Sequence, residues 1–347
     1  MTGGGEWWRP ERFALKRAHL ETRGRVVAAI RRFFAERGFV EVETPALQVS
    51  PGLEPHLQAF ATELTEPGES KRRRYLHTSP EFAMKKLLVA GMPRLFQLAH
   101  CFRDGERSPT HHPEFTMLEW YRAGAGYRDL MADCEALLRA VLAGAGRERF
   151  TWQGGVADPG APWSYLSVAE AFQRYGAIDL LATAPDPAAP NLALLAAAAA
   201  PLGLVPHPGD TWEDLFFRIF LERIEPSLGV GAPAILYDYP VSMAALARAK
   251  PGDPRLAERF ELYICGLELA NAFGELTDAA AQRRRFHADQ ETKRRRYGEA
   301  YPVDEDFLAA LAAGMPESAG IALGVDRLVM LASGAETIED VLWAPVA

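Results

Sequence analysis

The chain has 347 residues, enough for one large domain or two smaller ones, and 48% hydrophobic with 24% charged residues is an ordinary globular balance. A formal charge of −8 argues against a broad nucleic-acid surface, which is normally basic, while leaving room for a local basic groove. Cys101, Cys134 and Cys265 are too few and too scattered for a disulfide framework or a zinc site, and no apolar run marks a signal peptide or membrane span, so a cytoplasmic protein without a membrane partner is expected.

Residues 17–37 carry Leu20, Val26, Val27, Ile30, Phe33 and Phe34 near helical spacing and read as an amphipathic helix ended by Gly38. Residues 39–44 then alternate as a strand before Pro45, an arrangement that serves core structure or a subunit contact equally well. Residues 57–64 and 75–78 are short strand candidates, and the basic run at 71–74 between them reads as a solvated loop tip. Ser79, Pro80 and Glu81 open a helix over 81–90, with Ser79 as N-cap, Pro80 at the first helical position and Glu81 at the positive end of the dipole. Capping alone accounts for Ser79 and Glu81.

Residues 95–103 and 114–122 read as two strands around a polar loop punctuated by Gly105, Pro109 and Pro113. Period-two alternation places Gln97, Cys101 and Arg103 on one face of the first strand, and Glu119 and Tyr121 on one face of the second. Such a hairpin offers a cation and an anion to one polar ligand, although charged residues facing water would look the same. Residues 129–142 look helical. Residues 143–231 are the least informative; 182–202 is rich in Ala and Pro, which reads as a flexible connector plus a small helical insertion, with 212–224 as one of its helices.

Residues 259–278 carry a second chemical signal. Cys265 and Gly266 suit a two-residue hairpin loop that pairs Ile264 with Leu267 and sets Tyr263 opposite Glu268. Glu261 and Glu268 then fall on one face as diagonal neighbours, roughly 7–8 Å apart at the backbone. Carboxylate pairs hold Mg²⁺ beside phosphates, whereas an acidic solvent-facing edge is the plainer alternative. Glu275 follows at an odd spacing, so Gly274 is a candidate bulge that turns it back. Residues 282–297 form a charged helical stretch, either a solvated face or a site for an acidic partner or a nucleic-acid phosphate. Finally, residues 320–323 read as a short strand, Gly324 as a turn, and 325–332 as a nearly all-apolar helix that contains Asp326 and Arg327. Asp326 can cap that helix; Arg327 needs an anion, either an internal carboxylate or a bound phosphate.

Helix–strand–Pro, an Arg-ended strand–loop–strand, and a Gly-rich strand–helix with Arg stand in the order of motifs 1, 2 and 3 of class II aminoacyl-tRNA synthetases, which the chain resembles. The wording is closest to the lysyl branch at Thr78–Glu81, Phe102–Arg103, Pro113–Tyr121, Glu268–Asn271, Glu275–Asp278 and Gly324–Arg327. Roughly twenty residues precede motif 1, too few for an anticodon-reading OB-fold, so the resemblance is to the free-standing elongation factor P lysine ligase branch. Ala322 agrees, because synthetases usually carry Gly there and the ligase branch carries Ala.

The resemblance implies an α+β class II catalytic fold, an antiparallel sheet flanked by helices, spanning 17–347 after an N-terminal extension (1–16), with 143–231 as a variable helical insertion. It implies a homodimer, ATP as co-substrate with Mg²⁺, (R)-β-lysine or lysine as the amino acid, elongation factor P as acceptor, and no role for tRNA. Arg103 and Arg327 would be catalytic, on the α- and γ-phosphate sides. Asp104, Glu106, His111, Phe115, Glu268, Leu269 and Gly324 would join them around ATP, and Glu261 with Glu268 would hold Mg²⁺. Ser79, Glu81, Glu119, Tyr121, Asn271, Glu275 and Ala322 would line the amino acid pocket, with Glu81 at the nearer amine and Glu119, Tyr121 and Glu275 at the distal one. Two departures touch motif 2. Gly105 displaces the adenine-reading Glu to Glu106, and His112 replaces the usual Asn. A truncated synthetase acylating tRNA or a free acceptor, and an inactive synthetase-like regulator, are the alternative functions.

Overall fold

The fold, obtained as a computed structural model, describes residues 6–68 and 70–346. Residues 1–5, at the start of the expected N-terminal extension, and Glu69 and Ala347 of the expected catalytic domain lie outside the described residues. The chain divides into two compact units: the described residues of 1–125, 140–147 and 277–347 form the first, and residues 126–139 and 148–276 the second.

In the first unit a four-stranded sheet runs in the order Val40–Glu41, Arg94–Phe102, Glu114–Ala123, Ser318–Gly324. The short first strand is parallel to its neighbour and the other pairings are antiparallel. The register sets Gln97 opposite Glu119 opposite Ala322, and Cys101 opposite Phe115. Because paired residues share a face, one side of the sheet carries Gln97, Ala99, Cys101, Phe115, Met117, Glu119, Tyr121 and Ala322. The other side carries Phe96, Leu118, Trp120, Ile321 and Leu323. Helix Pro10–Glu36 covers that apolar side: the Phe34 ring stacks on Phe96 at 4.7 Å and meets Trp120 at 5.3 Å. Fully burying an aromatic of this size contributes about 2–3 kcal/mol. The helix starts at Pro10, a residue suited to a first helical position, and so takes in part of the stretch read as an extension.

A second, smaller sheet orders Leu47–Gln48, Arg72–Leu76 and Ala61–Leu64. Arg72, Arg73 and Arg74 thus sit on a strand rather than a loop tip; they pair with Leu64, Glu63 and Thr62, with side chains turned largely to solvent. Helix Glu81–Val89 packs Phe82 in a stack on Phe307, 4.6 Å away, of helix Glu305–Gly314.

In the second unit Ser164–Ser167 runs parallel to Ala234–Pro240, which pairs antiparallel with Asp253–Ile264, itself antiparallel to Leu267–Gly274. Helices Val168–Gly176, Leu192–Ala199 and Trp212–Ile219, the last continuing as a π-helix over Phe220–Ile224, bury Phe172, Leu195, Phe216 and Ile219 in one core with Leu236 and Tyr263. Within the Ala- and Pro-rich stretch Leu181–Thr183, Leu192–Ala199 and Ala200–Leu202 are helical, and Leu195 and Ala199 are buried in that core. Asn191 caps its helix through bonds from the amides of Ala193 and Leu194, and a Ser167–Glu170 capping box starts another.

Candidate active site

In the first unit the mixed polar face of the sheet ends in the loop after Phe102. Arg103 follows the last paired residue, and its amide donates to Pro113 O at 2.9 Å, which closes the base of the loop. Its guanidinium lies over the Phe115 ring at 5.1 Å. The nearest carboxylate, Glu106, is 3.9 Å away, and Arg103 Nε is buried without a hydrogen-bond partner. A forked cation with an unused buried donor suits an anion. Gly105, at φ +76°, gives the turn its left-handed residue, and its amide donates to Asp104 Oδ1 at 2.8 Å.

Arg327 reaches the same loop. Its Nη2 is 2.8 Å from His111 Nε2, and its Nε donates to Thr110 O at 3.3 Å. Since a guanidinium only donates, His111 Nε2 accepts, and the ring proton sits on Nδ1, 2.8 Å from Ser108 Oγ. Burial first, then the charges of Arg327 and Arg103, hold His111 below the usual imidazole range, so it stays neutral. His112 is buried: its Nδ1 faces Glu114 O at 2.5 Å and its Nε2 accepts from the Val346 amide at 3.1 Å. It thereby ties the loop to the C-terminal segment.

Asp326 does not cap its own helix. Its Oδ2 accepts from the Thr116 amide at 2.6 Å and its Oδ1 pairs with Arg23 of the first helix. A neighbouring strand and a distant helix outcompete the cap because they offer a backbone amide and a buried cation, and a buried charge is costly unless it is paired. Arg23 also donates to Thr116 Oγ1 and Val341 O, so one ion pair joins helix Pro10–Glu36, strand Glu114–Ala123 and helix Val325–Ser333.

At the other end of the same face Glu119 is 1% exposed. It accepts from Ser79 Oγ at 2.6 Å and Tyr121 Oη at 2.7 Å. Burial, then the charge of Glu81, push its carboxyl up to about 8, while the two hydroxyls pull the other way. Ser79 lies one residue before the helix cap position, which Pro80 takes, and its Oγ also accepts from the Glu81 amide at 3.1 Å. Glu81 is ion-paired with Lys85, a fully buried residue one helical turn on. Sequence reasoning missed Lys85, although the i, i+4 spacing was there to be read. Ala322 packs with Ala99, Cys101 and Met117 on this face, with Phe115 beside them.

In the second unit the Cys265–Gly266 turn forms with both residues at positive φ, and Tyr263 faces Glu268. The register then shifts opposite Leu269, so that Glu261 faces Asn271. The irregularity is thus at Leu269 and not at Gly274, and it restores the alternation by which Asn271 shares a face with Glu261. Gly274 has another reason to be glycine: a Cβ there would fall 2.2 Å from Glu258 Oε2. Glu261 Oε1 accepts from Arg259 at 2.8 Å, and Oε2 from Tyr239 and Tyr263, each at 2.5 Å. Three donors leave one lone pair on Oε1. Asn271 Oδ1 is buried without a partner, and Glu275 is 1% exposed. No cluster of three metal-ligating side chains exists among the described residues. The free lone pair of Glu261 and the carboxylate of Glu268 are hard oxygen donors, the chemistry that a Mg²⁺ sharing phosphate oxygens and water accepts.

The tRNA synthetases class II (D, K and N) profile matches residues 12–346. The chain belongs to that family. Its α+β architecture, with antiparallel-dominated sheets flanked by helices, is the class II synthetase fold. Among curated relatives, the chain is 42% identical over 332 residues to the elongation factor P--(R)-beta-lysine ligase of Vibrio cholerae, covering 94% of this chain and 95% of the relative. The ligase of the same name from Proteus mirabilis is 42% identical over 333 residues, covering 95% of each. That of Salmonella paratyphi B is 43% identical over 328 residues, covering 93% of this chain and 94% of the relative. No helix among the described residues is long and apolar enough to cross a membrane.

Proposed function

We propose that the chain is an ATP-dependent ligase that activates (R)-β-lysine, or lysine, as an aminoacyl-adenylate and transfers it to the ε-amino group of a lysine on elongation factor P. The observation that carries this reading within the shared family is the sheet face of the first unit, with Arg103, its Nε buried without a partner, at one end and the buried Glu119 carboxyl at the other. A molecule with a carboxylate at one end and an ammonium at the other meets complementary charge there.

In the first step a substrate carboxylate oxygen bonds to the α-phosphorus of ATP, and the bond to the bridging oxygen breaks to release pyrophosphate. A carboxylate is already nucleophilic, so the protein's task is alignment and charge neutralisation. Arg103 holds the α-phosphate and the reacting carboxylate, with Phe115 as a stacking platform and Asp104, Glu106 and Gly324 among the nucleotide contacts. Arg327, oriented by neutral His111, takes the γ-phosphate side. Glu261 and Glu268 would hold Mg²⁺, which would supply neutralisation of phosphate charge, with Leu269 beside Glu268 among the nucleotide contacts. Ser79, Glu81, Glu119, Tyr121 and Ala322 of the first unit would line the amino acid pocket, and Asn271 and Glu275 keep the roles that the resemblance implies for them. In the second step an amine nitrogen attacks the acyl carbon, the bond to AMP breaks, and the amine gives up a proton.

The active form is a homodimer through the first helix and strand, with 17–347 as the catalytic region and 143–231 as its insertion, in the cytoplasm. The test is the intact mass of elongation factor P after incubation with the protein, ATP and Mg²⁺, in parallel with lysine, (R)-β-lysine or neither, and with lysine tRNA as competing acceptor. A gain of one lysyl unit that needs both ATP and amino acid is the expected result. Charged tRNA without modified protein, or no product at all, overturns the reading.

A further inference from the structure

The two oxygens of Glu261 are held differently. Oε2 accepts from the Tyr239 and Tyr263 hydroxyls, each at 2.5 Å, which uses both of its lone pairs. Oε1 accepts from Arg259 at 2.8 Å and keeps one lone pair. Arg259 is itself fixed: it donates to Met243 O at 2.6 Å and lies over the Tyr239 ring at 4.4 Å. The carboxylate is thus locked with a single oxygen left to offer.

Tyr263 comes to Glu261 by simple alternation, two residues along one strand. Tyr239 does not. Strand Ala234–Pro240 sets Leu236 opposite Glu261 and Tyr237 opposite Phe260. Unbroken pairing would then put Tyr239 opposite Glu258, on the Phe260 side of the sheet. Instead the register shifts at Asp238, and Tyr239 falls opposite Ala257, on the Glu261 side. Asp238 takes φ +59°, a left-handed conformation that strains a residue with a Cβ and that aspartate tolerates better than most. Its side chain offsets the strain. It is 4% exposed, accepts from Tyr127 Oη at 2.8 Å and is ion-paired with Lys250 of strand Ala249–Lys250. The shift at Asp238 on one side and the shift opposite Leu269 on the other each turn a polar side chain, Tyr239 or Asn271, to the face of Glu261.

A carboxylate with one open lone pair binds a cation through one oxygen. Mg²⁺ accepts that, because its small octahedral shell is filled largely by water and phosphate oxygens. Ca²⁺ takes about six to eight oxygens and gains from carboxylates that grip with both. We infer that Tyr239 sets the metal preference of the nucleotide site: with Tyr263 it closes Oε2, so that Glu261 is confined to one-oxygen ligation and Mg²⁺ is favoured over Ca²⁺. Asp238 is the positioning residue that delivers Tyr239. The inference rests on the proposed place of Glu261 at the metal.

The test is calorimetric binding of ATP to the full-length chain without an amino acid, so that no adenylate forms, in Mg²⁺, in Ca²⁺, or in chelator alone. The wild type should bind MgATP more tightly than CaATP. In Tyr239→Phe the ratio of those affinities should fall about tenfold, the scale of one charge-assisted hydrogen bond, while metal-free ATP changes less than about twofold. Tyr263→Phe opens the same oxygen, should move the ratio the same way, and decides the matter if Tyr239→Phe fails to fold. Asp238→Asn tolerates the left-handed conformation and keeps an acceptor for Tyr127, so it should hold the wild-type ratio, whereas Asp238→Ala should move it as Tyr239→Phe does. An unmoved ratio in Asp238→Ala overturns the positioning role. An unmoved ratio in the tyrosine variants, or an equal loss for all three forms of ATP, overturns the inference and leaves the proposed function standing. A wild type that binds ATP equally with and without divalent ions overturns the metal role of Glu261 as well.

Discussion

Glu119 gives the sharpest handle on the chemistry. Its carboxyl is 1% exposed and is pushed from 4.5 up to about 8, mainly by burial and then by Glu81. At ~1.36 kcal/mol per pH unit, that rise corresponds to ~5 kcal/mol in favour of the neutral form. Between about pH 4.5 and 8 the folded chain keeps a proton that the unfolded chain has released. The stability this supplies is fully present below about pH 4.5 and is lost as pH rises through about 8. A ligand ammonium beside Glu119 needs the carboxylate, so binding below about pH 8 must expel the proton. Calorimetry of (R)-β-lysine at about pH 6.5, 7.5 and 8.5, each in two buffers of different ionisation enthalpy, should show release of close to one proton at the lowest pH. Affinity should climb toward tenfold per pH unit until it levels near pH 8. Glu119→Gln should bind weakly with no proton release and a flat profile. A wild type with flat affinity and no proton release refutes the reasoning.

Arg103→Ala removes the cation whose Nε is buried without a partner. It should cost at least about 100-fold in ATP–pyrophosphate exchange, the scale of a lost charge-stabilising donor, with an unchanged melting temperature; unaltered exchange would refute its placement on the α-phosphate. Asp326→Ala leaves Arg23 with a buried charge and the Thr116 amide without its acceptor. Denaturant unfolding should show a loss of about 3–5 kcal/mol, and a loss under 1 kcal/mol would mean that Arg23 finds water instead.

The sequence by itself determined the elements whose signals are local. The hairpin Arg94–Phe102/Glu114–Ala123 was legible because period-two alternation is a property of the strand alone, and the Cys265–Gly266 turn because both its residues can take positive φ. The order of the three motifs carried the family. What only the tertiary structure decided was where each charge found its partner. Asp326 could cap its helix by sequence, yet it pairs with Arg23, 303 residues away. Glu261 and Glu268 were visible as a pair, but not the two tyrosines and the arginine that hold Glu261, nor the shift at Leu269 that aligns Asn271 with it. The Ala-rich stretch gave no apolar period to read, because a helix of nearly uniform small residues is specified by the core it meets and not by its own pattern.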